Sequence, residues 1–97
     1  MKRIYLDSNV LIARYAVDKA EEAKRNLVEN AFDVLASLKD LQLCTSVWSI
    51  TEMVNILVSN KKMNRGEVAL IESQLTSEKR LKNLKIEIIE VSPPERL

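Results

Sequence analysis

The apolar positions of this chain fall into short runs and helical stripes that alternate along its length. Ile4-Tyr5-Leu6 is a brief apolar run stopped by Asp7-Ser8-Asn9, the pattern of a buried parallel strand that feeds a helix. Val10, Leu11, Ile12, Ala13 and Tyr15 then fit a first short helix. From Asp18 to Lys39 the spacing turns to three and four. Ala20, Ala23, Leu27, Ala31, Val34, Leu35 and Leu38 form the predicted inner stripe of a long helix, and Glu21, Lys24, Arg25, Glu29 and Asp33 its polar side. Leu41 to Thr45 reads as a second strand. Ser46 offers an amino-terminal cap for a helix over 47–59, with Val47, Ile50, Val54 and Leu57 inward, broadened by Met53 and Val58. Asn64-Arg65-Gly66-Glu67 has capping-box spacing and opens a helix predicted to reach about Leu81, with Val68, Ile71 and Leu75 inward. Lys85 to Val91 returns to strand, with Ile86 and Ile88 alternating with Lys85 and Glu87, until Ser92-Pro93-Pro94 stops it.

The predicted order is therefore β-α-α-β-α-α-β. Strands joined by long helical connections pair in parallel, which implies one α/β domain over 1–97, a three-layer α/β/α arrangement with three strands and about four helices. A sheet so narrow has a thin core and leaves strand edges to be covered. The expectation from this arrangement is that such a domain continues beyond Leu97.

Composition narrows the chemistry. With 46% apolar residues the chain can build a core, and 30% charged residues can coat it. Fifteen basic residues against fourteen acidic ones give a net charge of +1, so attraction to nucleic acid would have to come from a local patch. Lys61, Lys62 and Arg65 form one candidate, and Lys79, Arg80, Lys82 and Lys85 another; both also fit ordinary solvated helix faces. The chain has one cysteine and no histidine, which excludes an internal disulfide, a Cys/His zinc site and any histidine base. Cys44, within a predicted strand, reads as a small buried hydrophobe. No segment has the roughly 20 apolar residues of a membrane span and the amino terminus lacks a signal-peptide pattern, so a cytoplasmic protein without a membrane partner is expected.

Hydrolytic chemistry then falls to carboxylates and metal-activated water. Asp7 follows the first strand directly, and in open parallel sheets ligands bind outside the carboxyl ends of strands. Ser8 and Asn9 lie beside it at a helix start. Glu52, one turn or so into the helix after the second strand, is predicted at the same end of the sheet. Asp7 and Glu52 would give two oxygen ligands to Mg²⁺ or Mn²⁺, ions that take one or two protein carboxylates and fill the remaining positions with water or phosphate. Simpler readings stand beside this one. Asp7 fits a helix cap, and Ser49 with Glu52 fits a capping box. Glu87 and Glu90 on the last strand are weaker ligand candidates. Trp48, the only tryptophan, fits packing against the sheet or a neighbouring subunit, or stacking on a base.

The same two stretches carry a family resemblance. Ile4-Tyr5-Leu6-Asp7-Ser8-Asn9-Val10-Leu11-Ile12 resembles the opening of a PIN domain, the fold of the VapC-type toxin ribonucleases, and Thr45-Ser46-Val47-Trp48-Ser49-Ile50-Thr51-Glu52-Met53 resembles that family's second motif. The resemblance covers essentially the whole chain in element order, and the first motif is the more specific. It implies Asp7 and Glu52 as catalytic carboxylates holding Mg²⁺ or Mn²⁺, Asn9 as a catalytic supporting residue, and Ser46 as the small polar residue preceding the second motif; Ser8, from its place beside Asp7 at the helix start, is a further supporting residue that would orient a metal-bound water or cap the helix. It further implies hydrolysis of RNA phosphodiesters, an antitoxin partner that blocks the cleft, and homodimerisation. The family pattern continues after the third strand with a helix near a third acid and a further strand with another, and nothing after Val91 matches it. The later strands of the family pair on the far side of strand one. Hence Tyr5 and Leu6 are expected on an exposed edge, covered in an association by a second copy or a complementing chain. A truncated domain of this kind is expected to have little or no nuclease activity alone, and the alternative reading is a non-catalytic interaction module of the same fold.

Overall fold

The computed structural model describes residues 2–17, 22–38, 40–81 and 84–89. Strand β1 (Lys2–Tyr5) leads through Leu6 and Asp7 into helix α1 (Ser8–Tyr15), and α2 (Glu22–Ala36) precedes strand β2 (Leu41–Ser46). Helix α3 (Val47–Ser59) follows β2 without a break. After it come α4 (Arg65–Ser73), a wider π-type turn over Gln74–Glu78, and the strands β3 (Arg80–Leu81) and β4 (Leu84–Ile89). The sheet order is β1-β2-β4-β3. β1 and β4 flank β2 in parallel, with Ile4 beside Leu43 and Leu43 beside Ile86, while the short β3 runs antiparallel to β4. This is an α/β fold with four helices and a mostly parallel, mixed sheet among the described residues. Among the described residues no helix is long and apolar enough to cross a membrane.

The helix bounds of α3 are those predicted, and its cap is Ser46, whose side chain accepts from the Ser49 N–H. Its inner side is narrower than the predicted stripe. Ile50, Met53 and Leu57 are buried, whereas Val47 is exposed, because the helix turns Ser49 rather than Val47 toward the sheet. In α2 the inner side is rotated by about one position from the prediction. Phe32 is buried, with Val28 and Leu35 packed around it, and Leu27, Val34 and Leu38 face outward. Asp18 to Glu21 and Lys39, which the long helix was predicted to include, lie outside the described residues, as do Glu90 and the end of the last strand.

Two further expectations are corrected. The α-helix opened by Asn64 ends at Ser73, and the π-type turn that continues it ends at Glu78, short of Leu81. Thr76 donates its hydroxyl to the Glu72 carbonyl at 2.9 Å, a side-chain bond that competes with the helical ladder, and Lys79 takes a left-handed conformation with φ 54° that reverses the chain. The result is an extra strand, β3, whose Leu81 is fully buried together with Leu75. The sheet thus has four described strands, and one pair is antiparallel. At the other edge, β1 has β2 as its one partner among the described residues. Tyr5 is 47% exposed there, as expected, but Leu6 is buried, because strand alternation turns its side chain to the face opposite Tyr5, against the core.

Candidate active site

The carboxyl ends of β1 and β2 are neighbours because the two strands run in parallel and in register, Tyr5 beside Cys44. The ladder extends one step further. The Leu6 N–H donates to the Cys44 carbonyl at 2.7 Å, and the buried Thr45 hydroxyl donates to the Leu6 carbonyl at 2.7 Å. These two bonds fix the path of the chain just before Asp7.

Asp7 caps α1: its Oδ1 accepts from the Val10 N–H at 3.1 Å, and the side chain is exposed. Ser8 is buried and donates its hydroxyl to Oε1 of Glu52, which comes from the second turn of α3. Glu52 is therefore bonded to the residue that follows Asp7 in the chain. It takes no part in a capping box with Ser49, since Ser46 is the cap of α3 and Ser49 is its third residue. Tyr5 closes the back of this arrangement. Its hydroxyl lies 2.7 Å from Ser46 Oγ and 2.6 Å from Ser49 Oγ, tying the first turn of α3 to β1. The sequence places Tyr5 only in the first strand and Ser49 only in a capping box with Glu52, since a contact that spans more than forty residues has no local signal.

Of the predicted residues, the structure thus brings Asp7, Ser8, Glu52 and Ser46 to one end of the sheet. Asn9 is exposed on α1 and lines an open groove of about 390 Å³ between α1 and α2, with Ile12, Ala13, Lys24, Leu27 and Val28. Glu87 is engaged elsewhere, 3.3 Å from Arg3 across the sheet. Trp48 is not packed away: 39% of its surface is exposed. Cys44 is buried, with its thiol 3.6 Å from the Ile4 carbonyl.

The basic clusters lie away from this end. Arg80 is directly opposite Lys85 in the β3–β4 pair, at the amino end of β4, the reverse end of the parallel strands from Asp7. Lys61, Lys62 and Arg65 follow the far end of α3. Lys82 lies outside the described residues.

Each carboxylate spends one oxygen inside the protein, Asp7 on the Val10 amide and Glu52 on Ser8, and among the described residues its other oxygen has no hydrogen-bond partner. Two oxygen donors of this kind suit a hard divalent cation that keeps several waters. Among the described residues no group of three or more histidine, cysteine, aspartate or glutamate side chains is gathered that could hold a metal ion. Comparison with protein-family models, curated proteins and solved structures yields no match.

Proposed function

We propose that the chain carries the Asp7–Glu52 half of a metal-dependent endoribonuclease site of the PIN type. The observation that carries this reading is the Ser8–Glu52 hydrogen bond, which joins the element after β1 to the element after β2 beside Asp7. The parallel β4-β2-β1 order and the free outer side of β1 among the described residues support it, being the arrangement the PIN resemblance leads one to expect. Asp7 and Glu52 would hold Mg²⁺ or Mn²⁺, which when bound supplies activation of water and neutralisation of phosphate charge. Ser8 orients Glu52 by its hydrogen bond, and Asp7 is oriented by the cap it makes to α1. Tyr5, Ser46 and Ser49 hold the start of α3 in place, so that Glu52 stays at this end of the sheet. Two carboxylates alone position a phosphate poorly, and hydrolysis depends on that positioning, so turnover is expected to be slow.

The test is cleavage of a mixed RNA pool by the purified chain with Mg²⁺ or Mn²⁺, beside Asp7→Asn. Slow cleavage that needs the cation and disappears in the variant is the expected result. Cleavage that survives either the substitution or a chelator overturns the assignment.

A second reading, a non-catalytic interaction module of the same fold, is favoured by one feature. Leu27, Ala31, Val34 and Leu38 form an exposed apolar stripe at four-three-four spacing along α2 and just beyond its end, the repeat of a helix that packs on another. A folded chain that cleaves no RNA, yet binds an antitoxin-like partner or itself independently of Asp7, would favour this module.

A further inference from the structure

The hydrogen bonds of β1 show which way its backbone groups point. The Lys2 N–H donates to the Asp40 carbonyl at 2.9 Å, the Leu6 N–H to the Cys44 carbonyl at 2.7 Å, and the Ile4 carbonyl meets the Cys44 thiol at 3.6 Å. Even-numbered residues therefore turn their N–H and C=O groups toward β2. These groups alternate in direction along a strand, so those of Arg3 and Tyr5 point away from β2. Among the described residues no strand lies on that side, and both residues are exposed. Such an edge is a template for another strand.

A second copy of the chain offers the same row of groups, and two identical edges that close about a two-fold axis pair antiparallel. Only odd positions carry outward groups, so odd must face odd. Arg3 against Arg3 would set like charges face to face. Tyr5 against Tyr5 would set Arg3 against Asp7, whose carbonyl already accepts from the Leu11 N–H at 3.2 Å in α1. Arg3 against Tyr5 uses every outward group of the strand. The Arg3 N–H donates to the Tyr5 carbonyl of the second copy and the Tyr5 N–H to its Arg3 carbonyl, and the axis repeats both bonds. This register also sets a guanidinium beside an open aromatic ring, a favourable pair.

We propose that two copies of this chain join their β1 edges antiparallel, with Arg3 opposite Tyr5 and Ile4 on the two-fold axis, making one continuous sheet. The assignment rests on backbone directions and is independent of the ribonuclease reading. The paired segment is short, so the dimer is weak and forms at high protein concentration.

The experiment is sedimentation velocity of the whole chain over a concentration series, with amide exchange followed by NMR at both ends of the series. A reversible dimer is expected, in which the Arg3 and Tyr5 amides exchange more slowly than in the monomer. Arg3→Pro removes an outward donor and none that faces β2, a position where an edge strand accepts proline. With its circular dichroism unchanged, it should weaken the dimer about tenfold or more. Register is read by cross-linking in a Cys44→Ala background. Ile4→Cys should form an intermolecular disulfide on mild oxidation, because opposed residues of a non-hydrogen-bonded pair have Cα atoms about 4.5 Å apart, and Arg3→Cys should not. A chain that stays monomeric overturns the proposal. So does a dimer whose Arg3 and Tyr5 amides exchange as fast as the monomer's, which places the contact on another surface. Cross-linking through Arg3→Cys in preference to Ile4→Cys overturns the pairing as well. The exchange measurement uses the unaltered chain, so it decides the question even where Arg3→Pro fails to fold.

Discussion

The polar side chains at the carboxyl ends of β1 and β2 each hold backbone as well as one another. Ser46 caps α3 through the Ser49 N–H at 3.0 Å and also meets the Tyr5 hydroxyl. Ser46→Ala removes both, and a loss of about 1–2 kcal/mol is expected in urea unfolding; an unchanged midpoint would show that this cap is dispensable. Asp7 and Ser46 were legible as caps because a cap acts on the backbone two or three residues on. The Ser8–Glu52 bond was not, since it requires α3 to be packed against the start of α1. A different residue gives a pH signature. Burial raises the Tyr15 phenol above its ordinary 10.0, and the Arg14 guanidinium opposes this in part. The folded state therefore holds the phenolic proton more tightly than the unfolded one. The stabilisation is fully present below pH 10 and is lost as pH rises through the folded value. Tyr15→Phe should flatten the fall of stability above that pH, checked by denaturant unfolding across the alkaline range. An identical alkaline slope in the variant would contradict the burial argument.

At the scale of elements, period and type were readable where one apolar stripe dominates and unreadable where two compete. The bounds of α3 follow from its cap and its continuous apolar content. In α2, Leu27-Ala31-Val34-Leu38 is as regular as Val28-Phe32-Leu35, and spacing alone does not choose between adjacent stripes; the fold chooses the one carrying the large Phe32 ring. Phe32→Ala is accordingly expected to destabilise by about 3–5 kcal/mol, and Leu27→Gln by less than about 0.5. Equal losses in thermal or urea unfolding would mean that α2 buries the other stripe. The early end of α4 was hidden for another reason. Ser73 to Leu81 has no proline or glycine to mark a stop, and the turn depends on the Thr76 hydroxyl and the left-handed Lys79.

For the molecule as a whole, the parallel registers decide what meets what. Pairing β1 with β2 in parallel sets the end of each strand beside the other, and the two connections that follow deliver Asp7 and Glu52 to that end. The β3–β4 hairpin places Arg80 and Lys85 at the opposite end. Strand count and edge chemistry were only partly legible, because β3 is two residues long and arises from a turn rather than from an apolar run. The central claim is that Asp7 and Glu52 form one oxygen-donor pair. Its most direct test is Mn²⁺ binding to the chain, followed by the electron paramagnetic resonance of free Mn²⁺, beside Asp7→Asn, Glu52→Gln and Glu87→Gln. The prediction is weak binding that the first two substitutions each reduce about tenfold or more and the third leaves unchanged. Binding indifferent to both Asp7 and Glu52 would contradict the account.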